Sequence, residues 1–167
     1  VNRGLPTFHR YLNLRKKMMG VSELHYYDLY APLVSSVDLS YTVDEAEKQV
    51  LEALTPLGPD YAAAANRAFN ERWIDMYPTP GKRSGAYSNG GAYDVHPYLN
   101  LNYTGNYESV TTLAHEWGHA MHSYFANRAQ PFPIAGYAIF TAEIASTLNE
   151  DLLLEHMLKI ARSDDER

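Results

Sequence analysis

Apolar positions follow a helical repeat in the first 76 residues, lose it, and recover it after residue 107. Phe8, Tyr11, Leu12 and Met19 predict a helix over 7–19, started by Thr7 and stopped by Gly20. Leu24–Tyr30, rich in aromatics and followed by Pro32, reads as an extended segment. Thr42-x-x-Glu45 is a capping box. It opens a helix whose apolar face is Val43, Ala46, Val50, Leu54 and Leu57. Gly58-Pro59-Asp60 breaks that helix and begins another, lined by Tyr61, Ala64, Ala65, Ala68, Phe69 and Met76. Two antiparallel helices on a short turn are expected.

Between residues 78 and 106 Gly, Pro, Asn and Tyr dominate and the helical repeat stops. Asn89-Gly90-Gly91 signals a turn. Tyr98–Tyr103 alternates, with Leu99, Leu101 and Tyr103 on one side and Tyr98, Asn100 and Asn102 on the other, as a half-buried strand does. Helix is predicted again over 108–127, where Val110, Leu113, Ala114, Trp117, Ala120, Met121 and Tyr124 recur at helical spacing. Gln130–Pro133 reads as a loop. A last helix is expected over 138–161, with Ile144, Leu148, Leu152, Met157 and Leu158 as its apolar positions.

Composition narrows the classes. At 167 residues and 46% hydrophobic content the chain is long enough for a real core, and it is neither a disordered tail nor a collagen. It has no cysteine, which removes disulfides, cysteine-based zinc sites and thiol catalysis, and suits a reducing compartment. A net charge of -6 makes nucleic acid and anionic membranes poor partners. No apolar run is long enough to span a bilayer, and the opening VNRGLPTFHR lacks the layout of a signal peptide.

His115-Glu116-Trp117-Gly118-His119 matches HExxH inside a predicted helix. Four residues advance a helix by about 400°, so both imidazoles face the same way, one turn apart, as two ligands of one zinc ion would. Glu116 lies about 100° round the helix, within reach of a water on that metal. A catalytic zinc takes a third protein ligand. The long metzincin pattern fails, because Phe125 stands where a histidine is needed, and there is no cysteine ligand. Glu143 and Glu150 on the last helix remain. Glu143, in the phrase TAEIAST, is assigned as the ligand, with Ser146 and Glu150 on the same face as supporting partners. His122 returns to the metal face, but a fourth protein ligand would close the water position, so a hydrogen-bonding role is expected. Glu108 is placed to orient His115, or to serve as an ordinary first-turn carboxylate. His96, Tyr98, Asn100 and Asn102 are candidates for the cleft wall, and the 98–103 strand is read either as pairing with an extended substrate or as an ordinary member of the sheet.

HEWGHAMHS followed by FTAEIAST resembles the oligoendopeptidase F group of the thimet oligopeptidase family of zinc metallopeptidases. HRYLNLRKKMMG, ELHYYDLYAPL, NERWIDMYPTPGKRSGAYSNG and HPYLNLNYTGNYESVTTLAHEWGH carry the resemblance over nearly the whole chain. It implies a mainly helical, zincin-like fold with a small antiparallel β-sheet, and cleavage of short, unstructured peptides in the cytoplasm. By position, His115, His119 and Glu143 match the family's zinc ligands, one ion per chain. Glu116 matches its catalytic glutamate, and His122 a histidine that is not a ligand. Members of the family are several times longer. The chain is therefore expected to be the centre of a larger catalytic domain, with residues that contact the substrate carbonyl in the remainder of the polypeptide. The alternative is a zinc-binding helical module without catalysis.

Overall fold

The computed structural model describes residues 2–34, 37 and 39–167. They fall into two compact units, Val1–Val37 with Ser163–Glu166, and Asp38–Arg162 with Arg167. Among the described residues no helix is long and apolar enough to cross a membrane.

The first unit is built on helix α1 (Leu5–Met19). It starts two residues before the expected Thr7, because Pro6 needs no amide partner in the first turn and Gly4 already accepts from Thr7 and Phe8. Gly20 ends it with φ 67°. The expected apolar face is not buried: Phe8 and Tyr11 are exposed, and the buried side chain is Arg15. Its guanidinium donates to the Asp28 carbonyl at 2.8 and 3.0 Å, and also to the Ala31 carbonyl. The Asp28 carbonyl belongs to a 3-10 turn, Tyr26–Tyr30, which Ala31 ends, where an extended segment was expected. Asp28 accepts from the His25 amide at 2.8 Å, a local bond that the aromatic pattern conceals.

In the second unit the Thr42–Glu45 box forms as expected. Thr42 Oγ1 accepts from the Glu45 amide at 3.2 Å, and Glu45 accepts from the Thr42 amide at 2.8 Å. It opens α2 (Val43–Ala53), which ends in a 3-10 turn at Thr55–Leu57. Helix α3 (Pro59–Asn70) follows. Arg72, at φ 63°, turns the chain out of it, so Met76 lies beyond the helix it was expected to line. Strands β1 (Ile74–Asp75), β2 (Tyr87–Asn89) and β3 (Tyr98–Asn100) make one sheet in the order β1-β3-β2.

The sheet is mixed, not purely antiparallel: β1 runs parallel to β3, and β2 antiparallel to it. The alternation read for 98–103 holds, with Leu99, Leu101 and Tyr103 buried. Because β3 has a neighbour on each side, it cannot add a substrate strand. The edge β2 was hidden in a Gly- and Asn-rich stretch whose three residues are too few to show a period.

Two long helices complete the unit, α4 (Tyr107–Ala129), capped by Asn106, and α5 (Ile139–Ile160). Gly118 faces Ala145–Ser146, Ala114 bonds Asn149, and His115 bonds Glu150, so the helices run antiparallel. Trp117 is buried against Phe69 of α3, the rings stacked at 4.4 Å. Of the positions expected to be the core face of α5, Ile144, Leu148 and Leu158 are exposed. The face turned to α4 is Ala142, Ser146, Asn149 and Leu153. At the Gly118 crossing the two backbones come too close for large side chains.

Burial pushes the Tyr61 and Tyr103 hydroxyls up to about 12. An unfolded tyrosine loses its proton near pH 10, so the unfolded state binds fewer protons than the folded one above that pH. Stability is therefore expected to fall as pH rises from 10 toward 12. For Tyr61 the loss is about 2 kcal/mol. Denaturant titration at pH 9 and pH 11 checks this: Tyr61→Phe should show a smaller drop than wild type.

Candidate metal centre

One turn of α4 presents His115 and His119 on one side, and the antiparallel register brings Glu143 of α5 opposite them. Their donor atoms form a small triangle. His115 Nε2 and His119 Nε2 are 3.1 Å apart, and each is 3.5 Å from Glu143 Oε2. Bonds of about 2.0–2.1 Å at tetrahedral angles require ligand atoms about 3.3 Å apart. The triangle therefore has the size of three corners of a zinc tetrahedron. It is also the three-donor group among the described residues whose ligand atoms lie within 4.8 Å of one another. A nitrogen, nitrogen, oxygen set suits zinc and other first-row cations over magnesium or calcium.

The surrounding contacts hold these donors in place. Glu150 Oε1 is 2.5 Å from His115 Nδ1. The carboxylate accepts a hydrogen bond from Nδ1–H, which leaves the Nε2 lone pair pointing into the triangle. Ser146 donates to Glu143 Oε2 at 2.8 Å, and the Thr147 hydroxyl donates to the Glu143 carbonyl. The pKa of His119 is lowered, first by burial and then by His115 beside it, so it is held as the neutral imidazole that a metal requires. Asn149, unremarked in the sequence, is buried between the helices, where it donates to the Ala114 carbonyl at 3.2 Å and meets the Tyr61 hydroxyl at 3.1 Å. Its signal was a polar residue seven positions after Ala142 on the buried face.

Glu116 is buried beside the triangle, and its Oε2 has no hydrogen-bond partner. Burial raises its pKa, and Glu143 adds to the rise. His115 and the Ser88 backbone amide act the other way. An unpartnered buried carboxylate oxygen beside three donors is what a metal-bound water would satisfy.

Other candidates sit elsewhere. His122 stacks on the Tyr137 ring at 3.8 Å, and its buried Nδ1 has no hydrogen-bond partner. Glu108 is exposed at the far end of a cleft, and Glu150 holds the His115 nitrogen that Glu108 was placed to orient. His96 stacks on Trp73 at 4.6 Å and lines neither cleft beside the donors, nor do Tyr98 and Asn100. Asn102 lines the cleft on the His115 side, its amide donating to the Arg83 and Gly85 carbonyls at 2.8 Å.

Two clefts meet at the donors. The His115 side, about 480 Å³, includes Glu108, Glu116 and Glu150. The His119 side, about 610 Å³, is lined by Ser88, Gly90, Tyr93, Phe132, Tyr137 and Ile139 among others. Strand β2 runs between them along α4. Its turn at Gly90 is pressed so closely on the helix that a Cβ there would lie 2.1 Å from Ser123 Oγ.

Fold and site together define a helical scaffold that carries an HExxH helix, a glutamate donor on the next helix and an edge strand beside them. The model of peptidase family M3 matches residues 1–167, and the chain belongs to that family. It is 44% identical over its whole length to oligopeptidase PepF of Bacillus subtilis strain 168, and 47% identical to the group B oligopeptidase PepB of Streptococcus agalactiae. It spans 25% and 28% of those proteins, about a quarter of the length of the curated relatives it matches. A crystal structure from Chlamydophila abortus, assigned provisionally as a peptidase, superimposes with a TM-score of 0.83 at 45% identity, over 95% of this chain and 26% of that one.

Removing the Glu150 carboxylate should leave the fold intact and weaken metal binding. Loss of a carboxylate that orients a histidine ligand costs about 10- to 100-fold in affinity. A zinc competition titration of Glu150→Ala against wild type measures it.

Proposed function

We propose that this chain is the catalytic core of a zinc endopeptidase that hydrolyses internal bonds of short, unstructured peptides. The observation that carries the reading is the triangle of His115, His119 and Glu143 with the unpartnered Glu116 oxygen beside it. Zinc in that triangle would lower the pKa of a water toward neutrality and polarise the substrate carbonyl.

The residues of the chain supply the rest. Glu116 accepts the proton of the attacking water and delivers it to the departing amine. Its raised pKa suits both steps, because the carboxyl gives up its proton less readily than an exposed glutamate and so holds it between them. Glu150 and Ser146 fix the directions of His115 and Glu143. β2 lies at the edge of the sheet beside Glu116, which takes the Ser88 backbone amide, and its remaining outward backbone groups are left for an extended peptide by strand addition. The remainder of a longer polypeptide is proposed to complete the cleft, since the relatives are about four times as long. The absence of cysteine agrees with a cytoplasmic enzyme.

Elemental analysis of the purified protein tests the metal assignment. One zinc per chain is expected, lost in His119→Ala and Glu143→Ala. Retention of a full equivalent in both variants would show that the metal is held elsewhere.

A further inference from the structure

Strand β2 is three residues long, and so short a ladder holds an edge strand weakly. Yet the Ser88 amide in its middle is bonded to the Glu116 carboxylate. The place of Glu116 therefore depends on how firmly β2 is held.

Two asparagines hold it from opposite ends. The antiparallel register that sets Tyr87 opposite Asn100 brings Gly85 opposite Asn102 when it is continued by two residues. The backbone ladder has stopped there, and the Asn102 side chain takes its place. Its amide donates to the Gly85 carbonyl and to the Arg83 carbonyl, both at 2.8 Å. Beyond the other end of the strand, Asn127 of α4 donates to the Gly90 carbonyl at 3.0 Å. Gly90 has no room to move toward α4, because even a Cβ there would lie 2.1 Å from Ser123 Oγ. The Asn127 bond opposes movement the other way.

The chemistry of the amide matters at both places. Asn102 lines the cleft on the His115 side, but both of its N–H groups are spent on backbone carbonyls, so it has no donor left for a substrate. A carboxylate of the same shape would set an oxygen against carbonyl oxygens and push the chain away.

We propose, on the basis of the endopeptidase reading above, that Asn102 and Asn127 are positioning residues that clamp β2 at both ends and so fix the Ser88 amide on Glu116. Asn102 ties the strand to the sheet, and Asn127 ties it to the helix that carries Glu116. Supporting hydrogen bonds of this kind hold a reacting group to the precision that catalysis needs. The donor triangle lies on α4 and α5 and does not depend on the clamp.

The test uses the complete polypeptide that carries this chain, loaded with zinc. Asn102→Asp and Asn127→Asp replace the donated bonds with repulsion. Asn102→Ala removes the bonds without repulsion and serves if an Asp variant fails to fold. Asn66→Asp is the control for added charge, since the Asn66 amide donates within its own helix, to the Ala62 carbonyl at 2.9 Å. Hydrogen exchange at residues 87–90 should quicken about tenfold in the clamp variants, with exchange along α4 unchanged. Their kcat for a peptide should fall about tenfold, because a displaced Glu116 serves the transition state poorly. Zinc affinity should stay at the wild-type value, and Asn66→Asp should match wild type throughout. Unmoved exchange at 87–90, an unmoved kcat, or a loss confined to KM overturns the inference and leaves the endopeptidase reading intact. A fall in zinc affinity that matches the fall in kcat also overturns it, since the asparagines would then act on the metal. If the zinc-loaded wild-type protein cleaves no peptide, the endopeptidase reading fails, and the inference fails with it.

Discussion

Replacing Glu116 with Gln is expected to remove peptide cleavage while zinc stays bound. The side chain keeps its size and its place beside the donors, and none of the three donors is touched. What is lost is the charge that accepts a proton from water and the acid that returns it to the amine. General acid–base catalysis by one positioned group contributes about 10²- to 10⁴-fold. Because Glu116 is assigned both transfers, the upper end of that range is expected. Zinc content and kcat/KM measured on the same preparation check it. Cleavage near the wild-type rate in Glu116→Gln would assign the proton to another group.

The second large effect is expected at Gly118, away from any reacting atom. In the middle of a helix Gly→Ala ordinarily stabilises by about 1 kcal/mol. Here the sign should reverse. An added Cβ would lie 2.6 Å from the Ala145 carbonyl oxygen and from Ser146 Cα, and backbone atoms cannot rotate aside. Helix α5 must move back by nearly 1 Å to restore ordinary contact, and such overpacking costs about 1–3 kcal/mol. Glu143 is one turn from that contact, so the donor triangle opens as α5 retreats. Gly118→Ala is expected to lower the melting temperature and to weaken zinc binding about tenfold or more. An unchanged zinc affinity would show that the Gly118 crossing does not set the position of Glu143.

The same crossing explains what the sequence disclosed and what it hid. His115 and His119 were legible because helical geometry alone aligns residues four apart. Glu143 was legible because the rival ligand patterns need residues this chain lacks, and because Ser146 and Glu150 repeat on its side of the helix. The buried face of α5 was not. Amphipathic reasoning chose Ile144, Leu148 and Leu158, yet the side turned to α4 carries Ala142, Ser146 and Asn149, selected by the closeness of two backbones and not by apolarity. Local capping chemistry read well at Thr42, where both partners are four residues or fewer apart. It read poorly at Tyr26–Tyr30, where Arg15, ten or more residues away, gathers the carbonyls. Strands of two or three residues left no period to detect, so β1 and β2 emerged only with the sheet. Assigning substrate pairing to β3 followed from missing both of its neighbours.

A single zinc ion held by His115, His119 and Glu143, with a position left for water, is the proposed state of the site. Anomalous diffraction at the zinc edge, from crystals of the zinc-loaded protein, tests it most directly. One peak is predicted, about 2.0–2.2 Å from the Nε2 atoms of His115 and His119 and from a carboxylate oxygen of Glu143, with a fourth position that no side chain fills. A peak displaced from this triangle, or a fourth protein ligand closing the site, would contradict the account.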